Sequence, residues 1–132
     1  MIIPNPERPK RRSHRSNEGI IQAECFAWFH NTFPQYRGCL FHCPNENDRA
    51  DSNPIQGAIR KSLGVVSGVS DLICLIKRGG YGALLIEMKD EDGQQRKSQR
   101  EWQLIVESQG YKYCLCRSLA QFKDIINWYL AL

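Results

Sequence analysis

Apolar and polar residues recur with helical spacing in some segments of the chain and alternate as in a β-strand in others. These two patterns predict its secondary structure. Helical spacing predicts an opening helix capped by Ser16 or Asn17, and the predicted helices span residues 17–30, 55–63, 96–109 and 119–130. Short apolar runs with strand-like alternation predict strands at residues 40–44, 71–76, 83–88 and 111–117. The glycine-rich stretch KRGGYG between the second and third strands predicts a hairpin turn.

The order of these elements predicts an α/β fold. The strand–helix–strand unit near the C-terminus should form a right-handed parallel crossover, whereas the hairpin is antiparallel. We therefore expect a central mixed sheet flanked by helices, in the order αβββαβα, with the short helix at 55–63 between the first two strands. A chain of 132 residues with 42% hydrophobic composition can bury one core, so we expect a single domain over residues 17–132.

Charge is distributed unevenly along the chain. The net charge is +4, and residues 7–15 contain five basic residues and one acidic residue. We expect residues 1–16 to form a flexible basic arm that could bind phosphates without sequence preference. The start of the chain lacks the apolar segment of a secretory signal, and no run approaches the ~18 apolar residues of a membrane span. These features predict a cytosolic protein that does not cross a membrane, with six cysteines kept mostly reduced.

The stretch LLIEMKDEDG at residues 84–93 changes abruptly from apolar to charged. Because side chains alternate along a strand, Glu87 and Lys89 share one face of the third strand. Asp71 opens the preceding strand, and an antiparallel hairpin places the start of one strand beside the end of the next. The pattern therefore predicts that Asp71 and Glu87 lie side by side, with Lys89 one step further along the same face.

Two carboxylates at hydrogen-bonding range repel each other unless a cation lies between them. Oxygen ligands of this kind suit Mg²⁺ or Mn²⁺. A metal held there could polarise a phosphodiester oxygen, and Lys89 could orient or deprotonate the attacking water. The alternative is a surface salt bridge at the end of a strand, which contributes at most ~1 kcal/mol.

Glu24 lies among apolar residues of the opening helix, where Ile20, Ala27 and Trp28 are brought to the same side. An acid at the centre of such a stripe indicates a functional role. The alternative is that Phe26 and Phe29 mark the buried face and that Glu24 is solvated.

Three ordered segments, GVVSGVSDLICLI, ALLIEMK and KSQREWQLIVESQGYKYCLCRS, resemble the VRR-NUC (virus-type replication-repair nuclease) family of the PD-(D/E)xK nuclease superfamily. The resemblance covers about residues 24–122, and HCPNE at residues 42–46 is similar to the His-x-Pro-Asn segment of the family. It implies the same αβββαβα core. In one respect the chain differs: the family commonly has prolines in the loop before the aspartate, where this chain has Ser67 and Ser70. That difference loosens the backbone restraint on Asp71.

The resemblance also implies roles for individual residues. Asp71 and Glu87 would be metal ligands, the Met88 carbonyl a backbone ligand, and Lys89 the catalytic lysine. Glu24 would be the first-helix acid of the site. Gln99, which opens the next helix, would lie near the site, the alternative being an ordinary polar helix start.

Arg96, Lys97 and Arg100 lie at the start of a predicted helix, where basic groups oppose the helix dipole. Contact with DNA phosphates is a reason for them to be there, and we expect Lys77 and Arg78 of the hairpin to extend the same surface. No base-reading module is evident, so we expect recognition of DNA shape and backbone.

These observations predict a Mg²⁺- or Mn²⁺-dependent endonuclease that acts on branched DNA, with four-way (Holliday) junctions among the expected substrates. The resemblance suggests a homodimer in a bacterial or phage-infected host cytosol. The alternatives are a non-catalytic DNA-binding protein on the same fold, a sequence-specific restriction enzyme, and a thiol or zinc protein using five residues: Cys39, His42, Cys43, Cys114 and Cys116.

Overall fold

A computed structural model of the protein describes residues 2–4, 14–44 and 53–132. The four α-helices in this part of the chain are α1 (His14–Thr32), α2 (Pro54–Ser62), α3 (Lys97–Ser108) and α4 (Leu119–Leu130). The four strands are β1 (Leu40–His42), β2 (Leu72–Cys74), β3 (Leu84–Met88) and β4 (Lys112–Cys116), and a short 3₁₀ helix (Pro34–Tyr36) precedes β1. The predicted α/β fold and its order of elements are confirmed.

The strands form one sheet in the order β1-β2-β3-β4. Both β1–β2 and β2–β3 are antiparallel, whereas β3–β4 is parallel, as the strand–helix–strand unit predicts. At the β2–β3 turn, Arg78 pairs with Tyr81, and Gly79 and Gly80 have φ of 55° and 85°. Glycine adopts this left-handed conformation without steric cost, which explains the glycine-rich turn.

Helices α1 and α4 cover one face of the sheet, and α3 lies on the other. The first face carries Leu84, Ile86 and Met88, which join α1 and α4 residues such as Phe29 and Phe122 in the buried core. The opposite face carries Glu87, which accepts a hydrogen bond from α3. The end of β3 therefore lies between the apolar core on one face of the sheet and α3 on the other. The charged residues lie at this end of the strand.

The predicted beginning of α1 is wrong. Helix α1 already includes His14, so neither Ser16 nor Asn17 is its N-cap. Apolar spacing begins only at Ile20, whereas a packed helix extends through polar residues at little cost once it has nucleated.

Most of the predicted basic arm, residues 1 and 5–13, lies outside the described residues, as do Asn45 and Glu46 of the HCPNE segment. Of the remaining arm, Ile3 exchanges two hydrogen bonds of 2.7 Å with the side chain of Asn31. Within the described ranges, no helix combines the length and the apolar character needed to cross a bilayer. All six cysteines are free thiols.

Candidate metal centre at the end of the sheet

The two carboxylates meet because the hairpin register places them opposite each other. Leu72 pairs with Ile86, and one further step along both strands sets Asp71 opposite Glu87. Their carboxyl groups are close enough to share a hydrogen bond. Asp71 Oδ2 also accepts a hydrogen bond of 2.7 Å from the Met88 backbone N–H. Both side chains thus lie on the same side of the sheet.

The loop before Asp71 is held without prolines. Ser70 is fully buried and its hydroxyl donates to the Leu72 carbonyl at 3.1 Å. Gly68 has φ of 85°, and a side chain there would collide with the backbone of Ser98 in the first turn of α3. Close packing on α3 and an internal hydrogen bond therefore supply the restraint that prolines would otherwise give.

Glu87 is buried, and this burial controls its protonation. The residue is only 3% exposed to solvent. Burial first, and then the negative charge of Asp71, raise the pKa of Glu87 to about 8, whereas Lys89 and Arg96 act in the opposite direction. At neutral pH the carboxylate pair therefore retains a proton unless a cation replaces it.

Gln99 links the carboxylate pair to α3. All residues of α3 are described, and among them Gln99 alone is buried, with 2% exposure. Its Nε2 donates to Glu87 Oε1 at 2.7 Å, and its Oε1 accepts from the Arg96 backbone N–H at 2.8 Å. This arrangement fixes the orientation of Glu87, so Gln99 is more than a polar residue at the start of a helix.

Lys89 lies one residue beyond the end of β3. Its backbone N–H donates to the Cys116 carbonyl at 2.9 Å, which continues the parallel pairing with β4. The side chain is buried, and its Nζ lies 3.7 Å from Glu87 Oε1. The sheet thus brings an ammonium group to the carboxylate pair.

The donor set fits a hard divalent cation. When both carboxyl groups are ionised, the buried Glu87 Oε2 has no hydrogen-bond partner in the described part of the chain, which is costly for a carboxylate oxygen unless a cation completes it. The Met88 N–H points to Asp71, and the carbonyl of a strand residue points to the same edge as its N–H. Asp71, Glu87 and the Met88 carbonyl could therefore hold Mg²⁺ or Mn²⁺, which retain several waters.

A zinc site is a poorer fit to the structure. Among the described residues, no group of three His, Cys, Asp or Glu side chains is arranged to hold a metal ion. Cys116 instead donates to the Ser118 carbonyl at 3.3 Å and is fully buried. A structural zinc ion normally needs four such ligands.

Glu24 is buried, with 6% exposure, beside the fully buried Cys25. The alternative that Glu24 is solvated is wrong, although Phe29 is buried as that alternative predicted. The helix thus buries an acid as well as apolar residues. The contacts that assemble the cluster around Glu87 come from Asp71, Lys89 and Gln99.

Three predicted basic residues lie at the same end of the sheet as the carboxylates. Arg96 is the N-cap of α3 and is close enough to favour ionisation of Glu87. Lys97 is exposed, and its Nζ lies 3.8 Å from Glu101 Oε1. Arg100 Nη1 donates to the Gln95 carbonyl at 2.6 Å. Their charges face solvent beside the centre.

Lys77 and Arg78 do not extend this surface, and that prediction is wrong. They belong to the β2–β3 turn, which lies at the opposite end of the strands from Asp71 and Glu87. Arg78 Nη2 donates to the Tyr36 hydroxyl at 2.9 Å, and its guanidinium lies 5.9 Å from the centre of that ring. Arg78 therefore has a structural partner at the hairpin.

The sequence pattern does not single out Arg117, which the structure places at the same end of the sheet, against residues 90–93. Its Nη1 donates to the Asp90 and Gly93 carbonyls, both at 2.7 Å. The available signal is position: Arg117 follows β4, and the carboxyl ends of parallel strands meet at the same edge of a sheet.

Comparison with known proteins agrees with this architecture. The sequence model of the VRR-NUC domain matches residues 16–120. A solved structure named VRR_NUC domain protein superposes with a TM-score of 0.73 at 24% sequence identity, over 88% of this chain and 89% of that chain. This likeness shows the fold. A search of curated proteins found no match.

Proposed function

Since the chain belongs to the VRR-NUC domain family, we propose that it is a divalent-metal-dependent endonuclease that hydrolyses phosphodiester bonds in branched DNA. Membership of this family implies a nuclease of the PD-(D/E)xK type, and hence DNA binding. The observation that carries the proposal is the buried, unpartnered Oε2 of Glu87 beside the carboxyl group of Asp71. Two adjacent carboxylates, one of them buried, are costly when both are ionised, and a cation would relieve the cost.

The metal would be Mg²⁺ or Mn²⁺ on Asp71, Glu87 and the Met88 carbonyl, and when bound it supplies a Lewis acid for a phosphoryl oxygen. Gln99 donates to Glu87 and so keeps one carboxylate oxygen oriented while the other is free for a ligand. The family resemblance assigns Glu24 a further acidic role in this centre.

Lys89 has two possible actions in this reaction, because its ammonium is held beside the carboxylates. A neutral amine at this position could take a proton from the attacking water, whereas the ammonium could orient that water or donate hydrogen bonds to the oxygens on which negative charge develops. Both actions require the Nζ atom to be aimed at the reacting phosphate. Its burial limits the number of orientations that the side chain can adopt.

DNA binding would use the exposed basic residues Arg96, Lys97 and Arg100 at the start of α3. These residues lie beside the carboxylate pair, so a DNA backbone bound to them would pass close to the proposed metal. Contacts with phosphates fix register and orientation without reading bases. Branched DNA as the substrate, four-way junctions among the forms cut, and a homodimer are extended to this chain from the family resemblance. We place the activity in the cytosol, and the six free thiols are compatible with a reducing compartment.

The test compares the wild type with Lys89→Ala on linear, flapped and four-way DNA, with and without Mg²⁺. We expect cutting only by the wild type, only with the metal, and preferentially on branched DNA. Lys77→Ala is the matched control, because Lys77 is exposed at the other end of the hairpin. Cutting by Lys89→Ala at the wild-type rate would overturn the mechanism. DNA binding without cutting by the wild type would favour a non-catalytic DNA-binding protein.

A further inference from the structure

The segment that follows β3 is held to the end of β4 by an arginine. We call residues 89–93 the strand-exit loop. Arg117 is half-buried, and its Nη1 donates to the carbonyls of Asp90 and Gly93, both at 2.7 Å. The terminal nitrogen of a guanidinium carries two N–H groups, so one atom can serve both carbonyls. Arg117 therefore links Asp90 and Gly93 of the strand-exit loop through two hydrogen bonds.

We propose that Arg117 is a positioning residue for Lys89, an inference that rests on the proposed nuclease function. Lys89 lies beyond the last residue of β3, where the sheet no longer restrains both sides of the backbone. On its amino side, the Lys89 N–H donates to Cys116, the residue before Arg117. On its carboxyl side, Arg117 holds the carbonyl of Asp90. The end of β4 thus fixes the backbone on both sides of Lys89.

Other contacts make the strand-exit loop a compact unit around the Lys89 side chain. The Asp90 N–H donates to Glu18 Oε1 of α1 at 3.2 Å, and Asp90 Oδ1 accepts from the Asp92 N–H at 3.2 Å. At Gly93, an added Cβ would lie 2.9 Å from Asp90 Oδ1, 3.3 Å from Glu18 Oε1 and 3.4 Å from Lys89 Cδ. The loop therefore packs directly on the stem of Lys89, so a displaced loop moves that side chain.

The chemistry of arginine suits this task. The guanidinium stays charged and planar, and hydrogen bonds from a charged donor are stronger than neutral ones. It holds two carbonyls that are three residues apart and so sets the shape of the loop between them. Arg117 is half-buried, whereas Arg96, Lys97 and Arg100 are exposed to solvent.

The experiment uses the full chain with Arg117→Met, Arg117→Lys and the control Arg37→Met. Arg37 is also an arginine that donates to a backbone carbonyl, that of His30 at 3.0 Å, but it lies beside the 3₁₀ helix before β1. Two readouts are taken: kcat and KM on branched DNA over a range of salt concentrations, and trace acetylation of Lys89 without DNA or metal, followed by mass spectrometry.

We expect Arg117→Met to lower kcat on the order of 10- to 100-fold, because small displacements of a reacting group have effects of this size. KM and its salt dependence should stay near wild type, acetylation of Lys89 should increase, and Arg117→Lys should restore part of kcat. Arg37→Met should leave every readout unchanged.

Wild-type kcat and wild-type acetylation in Arg117→Met would overturn the inference. A raised KM with a weaker salt dependence would also overturn it, because that result identifies a phosphate contact. If the wild type does not cut DNA, the proposed function fails, and acetylation of Lys89 alone then decides the positioning role.

If Arg117→Met does not fold, Gly93→Ala and Arg117→Lys carry the test. Gly93→Ala crowds the strand-exit loop without touching Arg117, so we expect a smaller fall in kcat and increased acetylation of Lys89. Wild-type values of both readouts in both variants would contradict the inference.

Discussion

The β2–β3 hairpin has two polar ends, and they differ in how their polar groups are satisfied. At the turn end, Arg78 donates to the Tyr36 hydroxyl at 2.9 Å, and the buried Tyr129 hydroxyl donates to the Ile76 carbonyl at 2.6 Å. At the other end, the buried Glu87 Oε2 has no partner in the described part of the chain when both carboxyl groups are ionised. The carboxyl group of Asp71 lies beside it and raises its pKa.

This difference separates a structural end of the sheet from the end at which we propose the activity. Buried polar groups in native proteins are nearly always hydrogen-bonded, so an unpaired carboxylate oxygen needs an explanation. A bound cation would supply one at the carboxylate end. At the turn end, other groups of the protein form hydrogen bonds with the polar side chains. The two basic residues there, Lys77 and Arg78, suggest a DNA contact only when the sequence is considered alone.

The largest contrast should come from matched substitutions at the two ends. We expect Glu87→Gln to lower the rate of DNA cleavage by roughly 10²- to 10³-fold, because it removes a charged metal ligand at the reacting phosphate. Arg78→Met should leave the rate close to wild type. Single-turnover cleavage of branched DNA measures both. Equal losses in the two variants would break the distinction between the ends.

At the carboxylate end, the stability of the protein should depend on pH through Glu87. The folded pKa of Glu87, about 8, lies above its ordinary value of 4.5, so the folded state binds the extra proton. This contribution to stability is fully present below the lower pKa and is lost as pH rises through about 8. We expect the Tm of metal-free protein to fall over this range and added Mg²⁺ to restore it most at high pH.

The matched variant for the pH series is Glu87→Gln, which has no carboxyl group to ionise. Its Tm should change less with pH, measured by circular dichroism between about pH 5 and pH 9. A wild-type pH profile in Glu87→Gln would show that another group is responsible.

Orientation of Glu87 by α3 should have a moderate effect. Gln99→Leu removes the donor to Glu87 Oε1 and replaces glutamine with an apolar side chain of similar size. We expect a loss of roughly tenfold in kcat, because hydrogen bonds to charged groups are worth about 1.5–3 kcal/mol and part of the loss can be recovered by water. Steady-state kinetics with Gln103→Leu as the control measures it. A Gln99→Leu rate equal to that of Gln103→Leu would remove the orienting role.

DNA affinity should show the smallest effect. Lys97→Ala at the carboxylate end should weaken binding a few-fold and reduce the slope of log affinity against log salt by about 0.9, since each phosphate contact releases counterions. Lys77→Ala at the turn end should leave the slope unchanged. Fluorescence anisotropy at several salt concentrations measures both slopes. A reduced slope only for Lys77→Ala would reverse the assignment of the DNA-binding face.

Much of the fold and the pairing of Asp71 with Glu87 could be predicted from sequence, because both follow from local periods. Strand alternation and hairpin register are geometric rules that hold wherever one face is buried. The contacts of Arg117 and the extension of α1 back to His14 are features that no local pattern encodes, because they depend on how distant segments pack. The error for Lys77 and Arg78 is different, because a residue in the turn of the predicted hairpin lies at the opposite end from Asp71 and Glu87. The pKa of Glu87 likewise depends on burial, which only the folded chain determines.

Calorimetric titration of the metal-free protein with Mn²⁺ above about pH 8 tests the central claim most directly, with Glu87→Gln and Arg78→Met titrated in parallel. The account predicts saturable binding to the wild type and to Arg78→Met, and none at the same concentrations to Glu87→Gln. Equal binding by all three proteins, or by none, would contradict it.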